Sequence, residues 1–203
     1  MTWYVVDGMD GSGKTTVADM LVAELRSRGR RVLLMNHPNV DTLVGRLEQG
    51  FLHGDSKLDV ILSTMLYIAD VLHSLSVMRG RKGREYDDVV FVRYSMAVAY
   101  LSDSACMKAH RAVELLLPTP DVAVLVDIDP RIAINRIFSR GDELEVFETL
   151  DKLTSIRNRM LGISEGWVIL NNGGDMESLR AQMNAEVKVG TDEAPRSHAS
   201  VRG

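Results

Sequence analysis

Five short hydrophobic runs alternate along the chain with longer segments of helical periodicity. The runs cover residues 3–6, 32–35, 89–92, 122–126 and 168–170. Each is apolar throughout, which is typical of parallel strands that are covered on both faces. Apolar residues at helical spacing predict helices at about residues 14–28, 57–79, 96–116, 130–139, 145–162 and 175–186. This alternation predicts an α/β fold with right-handed crossovers, and ligands at the carboxyl ends of the strands.

The segment directly after the first hydrophobic run is rich in glycine. Its residues give the pattern G-x-x-x-x-G-K-T and are Gly8, Met9, Asp10, Gly11, Ser12, Gly13, Lys14 and Thr15. The segment joins a predicted strand to a predicted helix, so loop N–H groups and the helix N-terminus can bind phosphate oxygens together. In this pattern Lys14 reaches the β- and γ-phosphates and the Thr15 hydroxyl binds a magnesium ion. The sequence therefore predicts a nucleotide site.

Composition narrows the class of protein. The chain has 203 residues, a net charge of −4, five histidines and one cysteine. A mildly acidic chain lacks the basic surface that nucleic-acid binding needs, and one cysteine is too few for a disulfide framework or a zinc cluster. The first residues lack a signal-peptide pattern, and no stretch has the apolar length of a membrane span. We therefore expect a cytoplasmic protein with no DNA, RNA or membrane partner.

The pattern of strands and helices ends near residue 187. No linker or internal repeat interrupts it before that point, so we expect residues 1–187 to form a single domain. Residues 188–203 have no apolar pattern, and we expect them to form a disordered tail.

Three arginines lie where they can reach phosphate groups. Arg93 follows the third strand, whose carboxyl end borders the same crevice as the glycine loop, so its guanidinium can hold phosphate oxygens. The alternative is a strand-end arginine that extends into solvent. Arg136 and Arg140 accompany a polar segment at about residues 139–148, which suits a lid that closes over phosphates. A charged helix face in solvent would have the same composition.

Five segments follow one another in an order that is specific to one family of P-loop proteins. The glycine loop matches G-x-D-G-S-G-K-[ST], and residues 92–94 (V-R-Y) look like the motif D-R-Y. Residues 66–71 (L-Y-I-A-D-V) look like L-F-x-A-D-R, and residues 126–130 (V-D-I-D-P) look like L-D-V-D-P. Residues 140–148 resemble the lid pattern R-G-x-x-x-x-R-F-E. In this order the segments resemble the thymidylate kinase family over about residues 3–186.

The resemblance implies a P-loop kinase-type three-layer sandwich, with a five-stranded parallel sheet, helices on both faces and a small lid. It also implies ATP with Mg²⁺ as phosphate donor and a nucleoside monophosphate as acceptor, dTMP being the first candidate. Members of the family commonly form homodimers, and the apolar helix at residues 57–79 could supply such a face.

The resemblance assigns roles to residues by their motif position. The implied catalytic residues are Lys14, Arg93 and Arg140, and the implied magnesium ligand is Thr15. The residues implied in acceptor binding are Asp10, Tyr67, Arg93 and Tyr100; an apolar helix also buries such a tyrosine in its core for packing alone. The residues implied in ATP binding are Gly8, Met9, Asp10, Gly11, Ser12, Gly13, Lys14, Thr15, Thr16 and Arg136.

Four positions depart from the family pattern, mostly on the acceptor side. Val92, Val71 and Asn36 stand where the family has Asp, Arg and Arg, and the stretch from Tyr94 to Tyr100 is one residue short. Either Asp7 or Asp127 could replace the missing carboxylate near the metal. Either His37 or Arg46 could replace the missing phosphate contact, although a surface histidine in a turn explains His37 equally well.

Three functions remain open from the sequence. The first is a thymidylate-kinase-like phosphotransferase, and the second is a kinase for another small metabolite. The third is a catalytically weak nucleotide-binding regulatory module, because arginine contacts to transferring phosphate are worth about 10³–10⁵ in rate. A guanine-nucleotide switch is disfavoured because no N-K-x-D motif is present. A partitioning or motor ATPase is disfavoured because the chain is too short for coupling domains.

Overall fold

The fold is built around a parallel sheet of five strands. A computed structural model of the chain describes residues 1–38, 57–139 and 149–187. The strands within these residues are β1 (Thr2–Asp7), β2 (Val32–Asn36), β3 (Asp88–Val92), β4 (Val122–Asp127) and β5 (Val168–Asn171). Their order is β2-β3-β1-β4-β5, and all neighbours are parallel. The loop after β1 therefore emerges at the middle of the carboxyl edge.

Helices accompany the strands in the order that the periodicity predicts. The α-helices among the described residues are α1 (Lys14–Ser27), α2 (Lys57–Arg79), α3 (Asp103–Leu116), α4 (Pro130–Ser139), α5 (Leu150–Gly162) and α6 (Met176–Glu186). Two short 3-10 helices cover Gly83–Glu85 and Ser95–Tyr100. No helix in the described ranges is long and apolar enough to cross a membrane.

Apolar side chains on both faces of the sheet are buried by helices. On one face Val6 and Val92 pack in a cluster with Val17 of α1 and Leu179 of α6. On the other face the strands contribute to two clusters with α2 and with α4 and α5, which include Trp3, Phe91, Val71, Leu75, Leu125, Ala133, Ile137, Leu153 and Ile156. Successive strand residues thus point to opposite helical layers. The predicted α/β fold with helices on both faces is confirmed.

The helix predicted over residues 96–116 is wrong as one continuous element. Ser95–Tyr100 is a 3-10 helix, and α3 begins only after Leu101 and Ser102, which are both extended (ψ 168° and 158°). The Asp7 carboxylate accepts hydrogen bonds from two backbone N–H groups at the start of this stretch, at 2.8 and 3.2 Å. These bonds anchor the start of the stretch to the sheet. Ser102 occupies the N-cap position of α3, which serine favours, so a new helix begins there and the predicted element is interrupted.

The helix predicted from residue 145 begins later, at Leu150. Thr149 has extended backbone, and its hydroxyl accepts a hydrogen bond from the N–H of Lys152 at 3.4 Å. Threonine is favoured at this capping position because its oxygen satisfies a donor of the first turn. Residues 145–148 lie outside the described part of the chain.

Candidate active site

The glycine loop is held tightly between β1 and α1. Gly11 has φ 74°, and a Cβ atom there would lie 2.5 Å from the carbonyl oxygen of Ala133. Gly13 has φ 92° and forms the N-cap of α1, where a Cβ would collide with the side-chain amide of Asn172. Only glycine fits at these two positions, because the backbone is left-handed and the neighbouring atoms are close.

The first turn of α1 is available to an anion. No side chain caps this N-terminus with a hydrogen bond, and Thr15 and Thr16 are both exposed. Uncapped N–H groups and the positive end of the helix dipole attract negative charge. The loop and the first turn of α1 are therefore suited to bind a phosphate group, with the hydroxyl groups of Thr15 and Thr16 beside it.

Lys14 lies beneath this loop, in contact with its backbone and with Asp10. Its side chain is 6% exposed, and its Nζ donates hydrogen bonds to the carbonyl oxygen of Met9 at 2.8 Å and to Asp10 Oδ1 at 3.2 Å. Burial, together with the charge of Arg93, lowers the pKa of Lys14 to about 8, although Asp10 opposes the fall. The ammonium group is thus held by a few strong contacts in a poorly solvated position.

Asp10 joins the glycine loop to residues that follow β3. One carboxylate oxygen contacts Lys14 and the Arg93 guanidinium, and the other accepts a hydrogen bond from the Tyr100 hydroxyl at 2.5 Å. Burial by itself raises the pKa of Asp10, but Lys14, Arg93 and Tyr100 together hold that pKa well below its usual range. Burial and the Asp10 charge raise the pKa of Tyr100 well above its ordinary value. At neutral pH, the cluster therefore contains an ionised aspartate and a neutral tyrosine.

Arg93 adopts an uncommon backbone conformation at the end of β3. Its φ is 65°, a left-handed value that side chains other than glycine rarely adopt. Its N–H donates to the carbonyl of Val6 at 3.0 Å, and its Nη1 donates to the carbonyl of His37 at 3.3 Å. The side chain is 36% exposed. Part of the guanidinium thus remains open to solvent, where an anion could reach it.

Tyr67 approaches the same region from α2. Its hydroxyl donates to the carbonyl oxygen of Tyr94, next to Arg93, at 2.6 Å, and its ring is half-buried. The structure thus brings the four residues that are predicted to bind the acceptor to one end of the sheet. Asp10 contacts both Arg93 and Tyr100, and Tyr67 reaches the residue next to Arg93.

Arg136 and Asn172 meet the other side of the glycine loop. Arg136 of α4 donates from Nη2 to the backbone carbonyl of Asn172 at 3.0 Å. The Asn172 amide, which is buried, donates to the carbonyl of Ser12 at 2.7 Å. Asn172 was not among the residues predicted from the sequence. Its one signal is its position directly after β5, at the carboxyl edge where ligands bind.

Comparison with known proteins identifies the family of this site. A sequence model described as thymidylate kinase matches residues 6–182. The chain is 29% identical to the thymidylate kinase of Xanthomonas oryzae pv. oryzae over 187 residues, which cover 89% of this chain and 80% of that protein. It is 31% identical to an Aeropyrum pernix protein that carries the family's name, over 78% of this chain and 76% of the other.

The chain belongs to the thymidylate kinase family. A solved structure of thymidylate kinase from Candida albicans has the same fold, with a TM-score of 0.69, 20% identity and coverage of 90% of this chain and 88% of the other. That enzyme is described as having broad substrate specificity. The family and the enzyme class predicted from the sequence, a nucleoside monophosphate kinase, are thereby confirmed.

Two departures from the thymidylate kinase pattern lie in the hydrophobic core. Val92 and Val71 are each 2% exposed. Val92 packs on the α1 side of the sheet, and Val71 belongs to α2 and packs on the opposite side. At both positions an apolar side chain packs where the resemblance led us to expect a charged one.

The two carboxylates that could replace the missing aspartate already have protein partners. Asp7 is buried and accepts hydrogen bonds from the N–H groups of Gly8, Tyr94 and Met96. Burial raises the pKa of Asp7 in spite of these bonds. Asp127 forms a bidentate ion pair with Arg157 at 2.6 and 2.7 Å. In this structure both carboxylates organise protein groups.

From the sequence, His37 is interpreted either as a phosphate contact or as a surface histidine in a turn, and the structure shows neither. The residue is neither exposed in a turn nor available to phosphate, because it is 1% exposed. Its ring nitrogens contact the carbonyl of Arg93 and the hydroxyl of Ser74, each at 2.8 Å. Asn36, by contrast, is exposed.

Some predicted residues lie outside the described part of the chain. They are Arg140, Arg46, nearly all of the predicted lid at residues 139–148, and the predicted tail at residues 188–203. Their roles stay predictions from the sequence.

Proposed function

We propose that the protein transfers the γ-phosphoryl group of ATP to dTMP. The observation that carries this proposal is the Asp10 cluster, in which one carboxylate contacts Lys14, Arg93 and Tyr100. It couples the loop suited to the donor phosphates to the arginine suited to the acceptor phosphate. Phosphoryl transfer depends mainly on such positioning and charge neutralisation, and needs no covalent enzyme intermediate.

Each residue of the cluster has a defined task in this proposal. Lys14 leaves its contacts with Met9 and Asp10 to meet the β- and γ-phosphates, and Arg93 neutralises charge that develops on the phosphoryl group in transit. A γ-phosphorus–oxygen bond to ADP breaks as a bond forms to a phosphate oxygen of dTMP. Asp10 holds Lys14 until the phosphates bind and keeps Arg93 in place, Tyr100 and Tyr67 contact the acceptor, and Arg136 contacts ATP.

The residues fit a magnesium ion that is bound mainly by phosphate and water. The Thr15 hydroxyl is exposed at the first turn of α1, whereas no group of three or more metal-binding side chains occurs among the described residues. Mg²⁺ keeps several waters and commonly takes only one or two protein ligands beside phosphates. We propose Thr15 as that ligand; the bound ion would neutralise charge on the β- and γ-phosphates.

The acceptor is the part of the proposal that most needs a direct test. ADP release should be measured with ATP and Mg²⁺ and, in parallel, dTMP, dUMP, dCMP, dGMP, UMP, CMP or no acceptor. We expect turnover with dTMP well above the reaction without acceptor, and turnover about 10³-fold slower for Lys14→Met. Turnover with a different nucleotide would change the acceptor and retain the kinase. ATP binding without turnover on any acceptor would favour the regulatory module or a kinase for another metabolite.

We also propose a homodimer, which the resemblance to the family leads us to expect. Exposed apolar side chains on α2 support it. Met65, Ile68 and Leu72 follow one another at helical spacing and are 63%, 49% and 51% exposed. A continuous apolar stripe in water is typical of an interaction surface. The molar mass in solution, measured by light scattering, tests this, with Ile68→Glu as the variant expected to give a monomer.

A further inference from the structure

Arg93 departs from the ladder of β3 in a way that leaves its backbone carbonyl in need of a donor. Val92 is the last residue of β3 and is aligned with Asn36 of β2 and Val6 of β1. Arg93 still donates its N–H to Val6, but its φ of 65° turns the chain away from both strands. Among the described residues it is the one non-glycine with a positive φ. A partly buried carbonyl that leaves the ladder at such a turn is stabilised by another hydrogen-bond donor.

His37 supplies that donor and also holds the side chain of Arg93. Its Nδ1 lies 2.8 Å from the Arg93 carbonyl oxygen and 3.2 Å from that of Val92. Its own carbonyl oxygen accepts a hydrogen bond from Arg93 Nη1 at 3.3 Å. One residue thus contacts both the backbone and the guanidinium of Arg93.

The surroundings assign the tautomer of this histidine. Nδ1 faces only carbonyl oxygens, so it must carry the proton, whereas Nε2 faces the Ser74 hydroxyl at 2.8 Å, which can donate. Burial lowers the pKa of His37, which agrees with a neutral ring. The packing of the ring, with its centroid 5.1 Å from that of Phe91, fixes its orientation.

We propose that His37 is a positioning residue that holds Arg93 in place for phosphoryl transfer. The proposal rests on the role of Arg93 in the proposed function. The imidazole compensates for the loss of the strand ladder, the carbonyl of the same residue directs the guanidinium, and Asp10 receives it on the other side. A residue that is 1% exposed acts through Arg93 and not by contact with substrate.

Two amide variants separate the contact of His37 Nδ1 with the Arg93 carbonyl from the contact of Nε2 with the Ser74 hydroxyl. In His37→Asn the amide nitrogen takes the place of Nδ1 and can still donate to the Arg93 carbonyl, while the contact with Ser74 is lost. In His37→Gln the amide reaches toward Ser74 instead, and the donor at Nδ1 is lost. His110→Gln is the matched control, because His110 lies on α3 and its ring contacts Glu114 at 3.5 Å, away from the Asp10 cluster.

We expect His37→Gln to lower kcat by about 10–100-fold, with the KM for ATP unchanged, because a small displacement of a catalytic group costs up to about 10²-fold in rate. His37→Asn should retain kcat within about threefold of the wild type, as should His110→Gln. Equal loss in both His37 variants would overturn the proposal. So would a wild-type kcat in His37→Gln, or a raised acceptor KM alone in both variants, which would indicate direct contact.

A readout without substrate separates this inference from the proposed function. In protein labelled with ¹⁵N, the His37 ring should show a protonated Nδ1 and an unprotonated Nε2. The guanidinium resonances of Arg93 should shift in His37→Gln and stay in place in His37→Asn. If wild-type protein turns over no nucleotide, the proposed function fails while these spectra still decide the inference. Unchanged Arg93 resonances in His37→Gln would refute it.

Discussion

The two halves of the crevice that we propose for the phosphate donor and for the acceptor are built in different ways. The donor half is one continuous loop, in which Gly11 and Gly13 permit close backbone contacts and Lys14 lies directly beneath. The acceptor half is assembled from β2, β3, α2 and the 3-10 helix Ser95–Tyr100. Its central arginine, Arg93, is held by His37 and Asp10. Backbone N–H groups can bind phosphate only with the right loop, whereas a side-chain contact can be replaced by a different one. This difference agrees with the expectation from the sequence that most departures from the family pattern lie on the acceptor side.

The largest effect is expected from the donor half, in Lys14→Met. The variant keeps an unbranched side chain of similar length but removes the charge that meets the transferring phosphates. We expect kcat to fall about 10³-fold, because one preorganised charge or donor at such a site is worth about 10²–10³ or more. Steady-state kinetics with saturating ATP and acceptor measure the effect, and Lys108→Met on the exposed face of α3 is the control. Activity within tenfold of the wild type would show that the loop does not carry the chemistry.

A smaller effect is expected in the acceptor half, from Arg93→Lys. Lysine keeps the charge but loses the planar fork that can contact Asp10, the His37 carbonyl and a phosphate together. We expect kcat/KM for the acceptor to fall about 10²-fold and the KM for ATP to change by less than about twofold. Arg111→Lys, at an exposed position of α3, controls for the substitution. An equal rise in the KM for ATP would show that the two halves are not separate.

The pH dependence of ATP binding tests the donor half separately, through the charge of Lys14. Burial lowers the pKa of Lys14 to about 8, so the free protein loses this charge as the pH rises through 8. One pH unit above the pKa about a tenth of the ammonium remains, and the Kd for ATP should rise up to about tenfold between pH 7 and pH 9. Lys14→Arg should flatten the profile, because arginine stays charged. Calorimetric titration at each pH measures it, and a wild-type profile in Lys14→Arg would contradict this assignment.

The donor half is one continuous segment and the acceptor half is assembled from several, so the sequence predicts the donor half more completely. The five strands and the glycine loop are local patterns, so their positions could be predicted to within one or two residues. His37 could not be interpreted correctly, because its burial depends on Ser74 and Arg93, which are distant in sequence. Periodicity does not predict the break at Leu101 and Ser102, because it represents the spacing of apolar residues and not the extended backbone of an N-cap residue such as Ser102.

The smallest effect is expected from Asn172, which supports the donor half from outside its motif. Its amide donates to the Ser12 carbonyl at 2.7 Å, and in Asn172→Asp a carboxylate that cannot donate would face that oxygen. We expect the KM for ATP to rise about fivefold, equivalent to about 1 kcal/mol for one hydrogen bond, with the KM for the acceptor unchanged. The defect should shrink at low pH, because a protonated aspartate donates again. Asn158→Asp, on the exposed surface of α5, is the matched control. A defect of the same size at every pH would mean that Asn172 acts through its packing against Gly13 and not through the hydrogen bond.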